Sequence, residues 1–306
     1  MSAAHIEVLS PGALSTVQDL GRFGYAHLGI SPAGAADALS FRIANRIVGN
    51  EENTPAIEMT LIGATLKFDA ACTIALAGAE VAGVPMYEQV QMAVGDSLEC
   101  GLLRKGARTY LAIAGGVKVP KVLGSASTHL AAGFGGFQGR ALKRGDRLEV
   151  SNVTSSSSIK NGSRLREISQ PRKEIRVVKT ERRGLFTPGA FERFCSSEYV
   201  VLEQSNRLGI RLNGSAIATC SPANFLTQGV SLGTIQAPPD GQPIILFVDQ
   251  QTTGGYPVLA NIIAADMHCV GQLLPRDRVK FRAVSIKEAI AALREQERCL
   301  AEAFSE

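Results

Sequence analysis

The 306 residues contain no tryptophan, and aromatic side chains make up only 6%. That scarcity removes the row of stacking platforms on which single-stranded nucleic acid is bound. Histidine is almost as rare: four occur, none in an H-x-x-x-H pattern, so a zinc site is not expected. Six cysteines, at 72, 100, 195, 220, 269 and 299, never fall into C-x-x-C spacing and read as reduced, largely buried thiols. Met267-His268-Cys269 lies in an apolar-flanked segment and reads as core rather than as a nucleophilic pair. No apolar run approaches the roughly 18 residues of a membrane span. The opening MSAAHIEVLSPG has no basic stretch leading into an apolar one, so no secretory signal is read and a cytoplasmic location is expected.

Strong charge of one sign is also missing, since 32 Lys and Arg oppose 28 Asp and Glu. What excess exists is local: Arg164 to Arg183 holds eight basic and three acidic residues, leaving the remainder near neutral. A solvated linker is the simpler account of such a run, and an anionic partner surface is the alternative.

In place of these features stand 31 glycines and 13 prolines within a chain that is 45% hydrophobic and 20% charged. Those values predict a globular protein of one large or two ordinary domains, with many short strands joined by tight turns. The most informative stretch is IQAPPDGQPIILFVDQQTTGGYP, Ile235 to Pro257. Pro238-Pro-Asp-Gly241 is a reversal, and Pro243 to Val248 is too short for a helix and reads as a buried strand. That strand delivers Asp249, Gln250, Gln251, Thr252 and Thr253 to Gly254-Gly255-Tyr256-Pro257. Adjacent glycines permit positive φ or close backbone approach, and the density of amides and hydroxyls marks a candidate site. Gln18, Asp19, Arg22 and Tyr25 form a second polar group among small residues, in STVQDLGRFGY.

Along the chain, Ser31 is the expected cap of a helix with Pro32 at its first position. Leu39, Ile43 and Ile47 share one face, and Gly49-Asn50 ends it. From Ala56 to Val150 the pattern is strand after strand, interrupted by the glycine-dense loop Gly124–Asp146 carrying Ser125, Ser127, Thr128 and Arg140. That loop is neither a P-loop nor a dinucleotide fingerprint. Arg108 and Tyr110, inside an apolar strand, read as packing residues. Serine-rich 151–174 is the natural linker between a first region, 1–150, and a second, 175–306. A short capped helix is expected at Thr187–Phe194. Ser285-Ile-Lys-Glu288 is a capping box for a last helix whose apolar face is Ile286, Ala289, Ile290 and Leu293.

The blocks STVQDLGRFGYAHLGISPAGAAD, ANRIVGN, RTYLAIAGGV, VLGSASTHLAAGFGGFQGRALKRGD, NRLGIRL and IQAPPDGQPIILFVDQQTTGGYP resemble, in order and from about Val8 to Phe281, the biotin-dependent carboxyltransferase family, whose members include the second subunit of allophanate hydrolase. Lys179–Arg183 and Pro275-Arg-Asp277 depart from turns common in that family. The resemblance implies a mainly β fold of two tandem cyclophilin-like β-barrel domains with a few short helices. It implies a role as the C subunit of an ATP-dependent 5-oxoprolinase, opening 5-oxo-L-proline to L-glutamate with the A and B subunits as partners. Two alternatives stand beside it. One is carboxyl transfer from biotin on a separate carrier, as in urea carboxylase; this chain has no Ala-Met-Lys-Met context for biotin. The other is a non-enzymatic antagonist that binds a kinase-inhibitor-like partner.

Opening a lactam develops negative charge on its carbonyl oxygen, which amide, hydroxyl and guanidinium donors stabilise. Gln18, Arg22, Arg207, Gln236, Gln251, Thr252 and Thr253 are the candidate donors, with Gly254, Gly255, Tyr25 and Tyr256 beside them. Asp19, Asp240 and Asp249 are candidates to act as base or to orient an arginine. Each has a plainer alternative: Asp19 and Asp240 as turn caps, and Arg22 as a loop fastener.

Overall fold

The computed structural model describes residues 4–151, 162–181, 185–220 and 226–305. The serine-rich centre of the expected linker and the last two arginines of the basic run lie outside those residues. Two compact units emerge, one formed by residues 1–22, 33–170 and 299–306 and the other by 23–32 and 171–298.

The first unit contains β1 (Ala4–Ser10), β2 (Leu14–Gln18), α1 (Ala38–Ile47), β3 (Ala56–Thr60), β4 (Thr65–Phe68), β5 (Cys72–Glu80), β6 (Gln89–Met92), β7 (Ser97–Glu99), β8 (Arg104–Ile113), β9 (Arg147–Val150) and α2 (Gly162–Ile168). The strands form two antiparallel sheets, ordered β7-β4-β1-β9 and β2-β3-β8-β5-β6. Two sheets therefore stand where a closed barrel was expected. Ile6, Val8, Leu66 and Phe68 from one sheet and Ile57, Ile74, Leu76 and Leu111 from the other are fully or almost fully buried in a common core.

Leu39, Ile43 and Ile47 of α1 join that core as their spacing predicts. The helix starts later than Ser31-Pro32 suggests. Asp37 is the cap, accepting hydrogen bonds from Ser40 N (2.9 Å) and Ser40 Oγ (2.6 Å). At the other end Gly49 N reaches Arg46 O and Asn50 N reaches Asn45 O, the paired bonds of a Schellman ending with Gly49 at φ 78°.

The second unit is built from β10 (Glu174–Lys179), α3 (Ala190–Ser196), β11 (Glu198–Val201), β12 (Gly209–Asn213), β13 (Gln228–Gly229), β14 (Thr234–Gln236), β15 (Ile244–Leu246), β16 (Thr253–Gly254), β17 (Val258–Ile262), α4 (Met267–Gly271), β18 (Arg278–Ala283) and α5 (Ile286–Ser305). Seven strands close into a barrel in the order β10-β17-β14-β15-β12-β11-β18. Its seam is the parallel pair β10 and β18, from Glu174 opposite Lys280 to Val177 opposite Ala283. Inward residues such as Ile175, Val177, Ile210, Leu212, Ile235 and Ile245 alternate with outward ones, as a barrel wall requires. Phe194 of α3 stacks on Phe281 at 4.5 Å and packs against Tyr199, plugging one part of that interior.

The capping box of α5 forms, with Ser285 N to Glu288 Oε2 at 2.7 Å and Glu288 N to Ser285 Oγ at 3.2 Å. The expected burial of its first half does not. Ile286, Ile290 and Leu293 are exposed, whereas Leu300 and Ala303, in the part of α5 that belongs to the first unit, are buried in that unit's core. No helix among the described residues is long and apolar enough to cross a membrane.

The basic run is partly structured, in α2 and β10, and its charges are matched. Arg164 pairs with Glu302, Arg166 with Glu80, Lys173 with Asp277 and Lys179 with Glu192. Arg172 and Arg176 both grip the buried Asp266. Burial alone would raise the Asp266 carboxyl. Hydrogen bonds from the Arg176 side chain and backbone, helped by the two positive charges, hold it below its ordinary range instead. These pairs leave the described part of the run with little net charge to offer an anionic partner.

Candidate functional site

The two polar groups singled out in the sequence fall in different units. In the first, β2 carries Gln18 and Asp19 to the glycine-dense loop. Asp19 is buried, and its carboxylate accepts from Gly21 N (2.8 Å), Ser125 Oγ (2.7 Å), Ala126 N (2.7 Å) and Ser127 Oγ. Three donors converge on Oδ1 and Ala126 N takes Oδ2, tying β2 to the loop at several points, a geometry that suits fastening the loop. Gln18 donates Nε2 to Thr16 Oγ1 (2.9 Å) and Thr128 O (3.3 Å). Arg22, 2% exposed, donates to Ser127 O and lies with its guanidinium carbon 4.8 Å from the centre of the Phe134 ring. A side chain on Gly135, at φ 72°, would stand 2.1 Å from Ser127 O, which explains a glycine in this loop.

Tyr25 belongs to the second unit, at the start of a short 3-10 turn. Asp240 is exposed and accepts Gln242 N at 3.0 Å, a turn cap.

The remaining candidates gather on the barrel of the second unit. Arg207 and Asp249 form a buried two-pronged ion pair, Nε to Oδ2 at 2.9 Å and Nη2 to Oδ1 at 3.1 Å. Asp249 N also donates to Arg207 O (2.9 Å), so the pair joins the loop before β12 to the loop after β15. Its charges cancel, and Arg207 is thereby engaged in the fold. Beside it lies a recess of about 210 Å³ lined by Asn206, Leu208, Gly209, Arg211, Gln236, Ile244, Leu246, Gln251 and Tyr256.

Register explains this lining. Arg211 of β12 faces Ile244 of β15, and Ile244 faces Gln236 of β14, so the three side chains form one outward row across neighbouring strands. The loop of residues 249–257 supplies Gln251 and Tyr256. Gln236 is 1% exposed and donates Nε2 to Tyr256 O at 3.4 Å. Its amide nitrogen is the reason for Gly254: a side chain there would stand 2.4 Å from Gln236 Nε2. Neither Gly254 nor Gly255 has positive φ, and a side chain on Gly255 would meet only Thr227 Oγ1, at an ordinary 3.8 Å, so close approach accounts for the first glycine only. Thr252 is half-buried, and Thr253 is exposed in β16, paired with Gly229 of β13. Neither lines the recess. Asn206, Leu208 and Arg211 do so without having been candidates, because strand register rather than local pattern brings them here.

A larger hollow of about 510 Å³ lies beside α3, lined by Lys179, Thr180, Phe191 and Glu192 among others. The Lys179 ammonium is taken by Glu192 (3.1 Å) and lies over the Phe191 ring. No group of His, Cys, Asp and Glu among the described residues is arranged to hold a metal ion.

Residues 28–283 match the model of the carboxyltransferase domain, subdomain A and B. The chain is 37% identical over 299 residues to the C subunit of 5-oxoprolinase from Escherichia coli, with 96% of each chain covered. It is 36% identical over 310 residues to urea amidolyase of Saccharomyces cerevisiae, there spanning 93% of this chain but 17% of the longer relative. The solved urea carboxylase of Kluyveromyces lactis superposes with a TM-score of 0.91 and 32% identity, covering 99% of this chain and 29% of that one. With the family model matched over most of its length, this chain belongs to the carboxyltransferase domain family of subdomains A and B.

Proposed function

We propose that the chain is the C subunit of an ATP-dependent 5-oxoprolinase, acting with the A and B subunits as partners. One observation carries this reading above the others: the match to a 5-oxoprolinase C subunit is coextensive, covering 96% of both chains, whereas urea amidolyase contains this fold as a small part of a longer protein.

The recess on the barrel supports the chemistry. Gln251, presented by the loop after β15, is placed to donate to a carbonyl oxygen as negative charge develops there. Gln236 fixes the neighbouring Tyr256 backbone, and the Arg207–Asp249 pair fixes the loop that carries both Gln251 and Tyr256. A positioned donor of this kind contributes roughly a hundredfold or more in rate when water is excluded. Among the recess-lining residues there is one arginine and no lysine, and no P-loop glycine pattern runs past it. That lining does not suit a triphosphate, so the nucleotide and its phosphoryl chemistry are assigned to the partner subunits.

The likeness to urea carboxylase favours a second reading, carboxyl transfer with biotin held by a separate carrier. One experiment separates them. ATP hydrolysis is measured with the chain and homologues of the A and B subunits, with and without 5-oxoproline; bicarbonate fixation with urea and a biotinylated carrier runs in parallel. Turnover that requires both 5-oxoproline and this chain is the expected result. Fixation without lactam turnover moves the protein to carboxyl transfer. Silence in both, with tight binding to the B subunit, leaves an antagonist role.

A further inference from the structure

The charge balance of the barrel recess is uneven in a way the reaction alone does not require. Arg207, beside the recess, is neutralised by Asp249, whereas Arg211 is the one arginine that lines it. Among the described residues no carboxylate pairs with the Arg211 guanidinium, although most other arginines of this unit have one. A permanently charged group in that position has its donors available to a ligand.

The polar groups opposite it are equally unspent. Gln236 is 1% exposed, and the one hydrogen bond of its side chain runs from Nε2 to Tyr256 O. Its Oε1 has no donor among the described residues and is open to a ligand in the recess that Gln236 lines. Gln251 likewise makes no side-chain hydrogen bond among them. Arg211 and Gln236 are two strands apart in one row, so their backbones stand about 10 Å apart. Between them lies Ile244, with Leu208 and Leu246 completing an apolar floor and wall.

We infer that this recess reads a small carboxylate-bearing cyclic amide, with Arg211 as the residue that selects the carboxylate. The inference rests on the lactam reading above and adds which group of the ligand is recognised, and by what. Arg211 takes the carboxylate through its paired N–H groups. Gln236 Oε1 accepts the ring N–H, Gln251 Nε2 donates to the ring carbonyl, and the methylene edge lies on Ile244 and Leu246. Selection of the acid over its neutral analogue then comes from one guanidinium. Its contribution corresponds to a factor of about 10 to 100.

The test compares 5-oxoproline with 2-pyrrolidinone, the same ring without the carboxylate. Binding to the full chain is measured by calorimetry or ligand-observed NMR, and turnover in the reconstituted complex, for wild type, Arg211→Gln and Arg211→Lys. Arg211 is outward and exposed on β12, so both variants are expected to fold, and thermal melting checks this. The expected result is a roughly 10- to 100-fold weaker Kd and higher KM for 5-oxoproline in Arg211→Gln, partial rescue in Arg211→Lys, and 2-pyrrolidinone unchanged. Equal loss for both ligands, no loss for either, or no preference for the acid in wild type overturns the inference. If no lactam is turned over but the carboxylate is bound in an Arg211-dependent way, the lactamase reading falls while the assignment of Arg211 stands.

Discussion

Each unit buries an aspartate that holds a functional-looking loop in place, and the two do it by opposite means. Asp19 in the first unit is surrounded by two hydroxyls and two backbone N–H groups, all neutral. Asp249 in the second is met by the full charge of Arg207. A carboxylate held by neutral dipoles is distributed over many small bonds, each replaceable in part. One held by a buried guanidinium is concentrated in a single partner, and loss of that guanidinium leaves the carboxylate buried without its counter-charge. The first unit thus has a robust fastener and the second an all-or-none one.

The sharpest way to break that contrast is Asp249→Ala. Removing one member of a buried pair costs about 3–5 kcal/mol, read as a lowered midpoint in urea unfolding. Replacing both, as Arg207→Met with Asp249→Leu, is expected to recover most of that stability while lowering activity, because the loop after β15 loses its tether. Gly135→Ala comes next. At φ 72° and against the Ser127 carbonyl it has nowhere to yield, so about 3 kcal/mol is expected. Asp19→Asn is smaller, about 1–3 kcal/mol, since its amide N–H group meets backbone donors that formerly had an acceptor.

Gly254→Ala is smaller still in stability, about 1 kcal/mol, because the obstructing atom is the end of the flexible Gln236 side chain. Its effect is expected in KM, through displacement of Gln236. The mildest probe is acid. Asp266 has its folded carboxyl lowered, so its contribution is present above the ordinary carboxylate range and is lost as pH falls through the lowered folded value. Arg176→Gln, followed by thermal melting from neutral pH down to about pH 3, is expected to flatten that part of the profile.

Much of the fold was legible. Periodicity placed α1 correctly on its buried face, and the Ser285–Glu288 spacing placed the start of α5. What misled was local chemistry with a competitor close by. Ser31-Pro32 has the form of a helix start, but Asp37, with Ser40 three residues on, supplies the better cap. Ile286, Ile290 and Leu293 have the form of a buried stripe, and periodicity does not say whether anything covers it. Of the candidate residues, the structure brings Gln236, Gln251 and Tyr256 together through strand register. Register among β12, β14 and β15 depends on pairings between segments well apart in the chain, which no local pattern encodes, and so Arg211 could not be picked out beforehand.

The way α5 ends has a consequence for the order of folding. Leu300 and Ala303 complete a core whose first strand begins at Ala4. The barrel, too, waits for late sequence, since β10, which starts at Glu174, is closed by β18, which starts at Arg278. Neither unit can finish from its own contiguous segment, so contacts of long sequence separation must form in both before either is complete, a topology that folds slowly. Truncation after residue 298 is therefore expected to loosen the first unit, whose strands all lie far upstream, while leaving every strand of the barrel present.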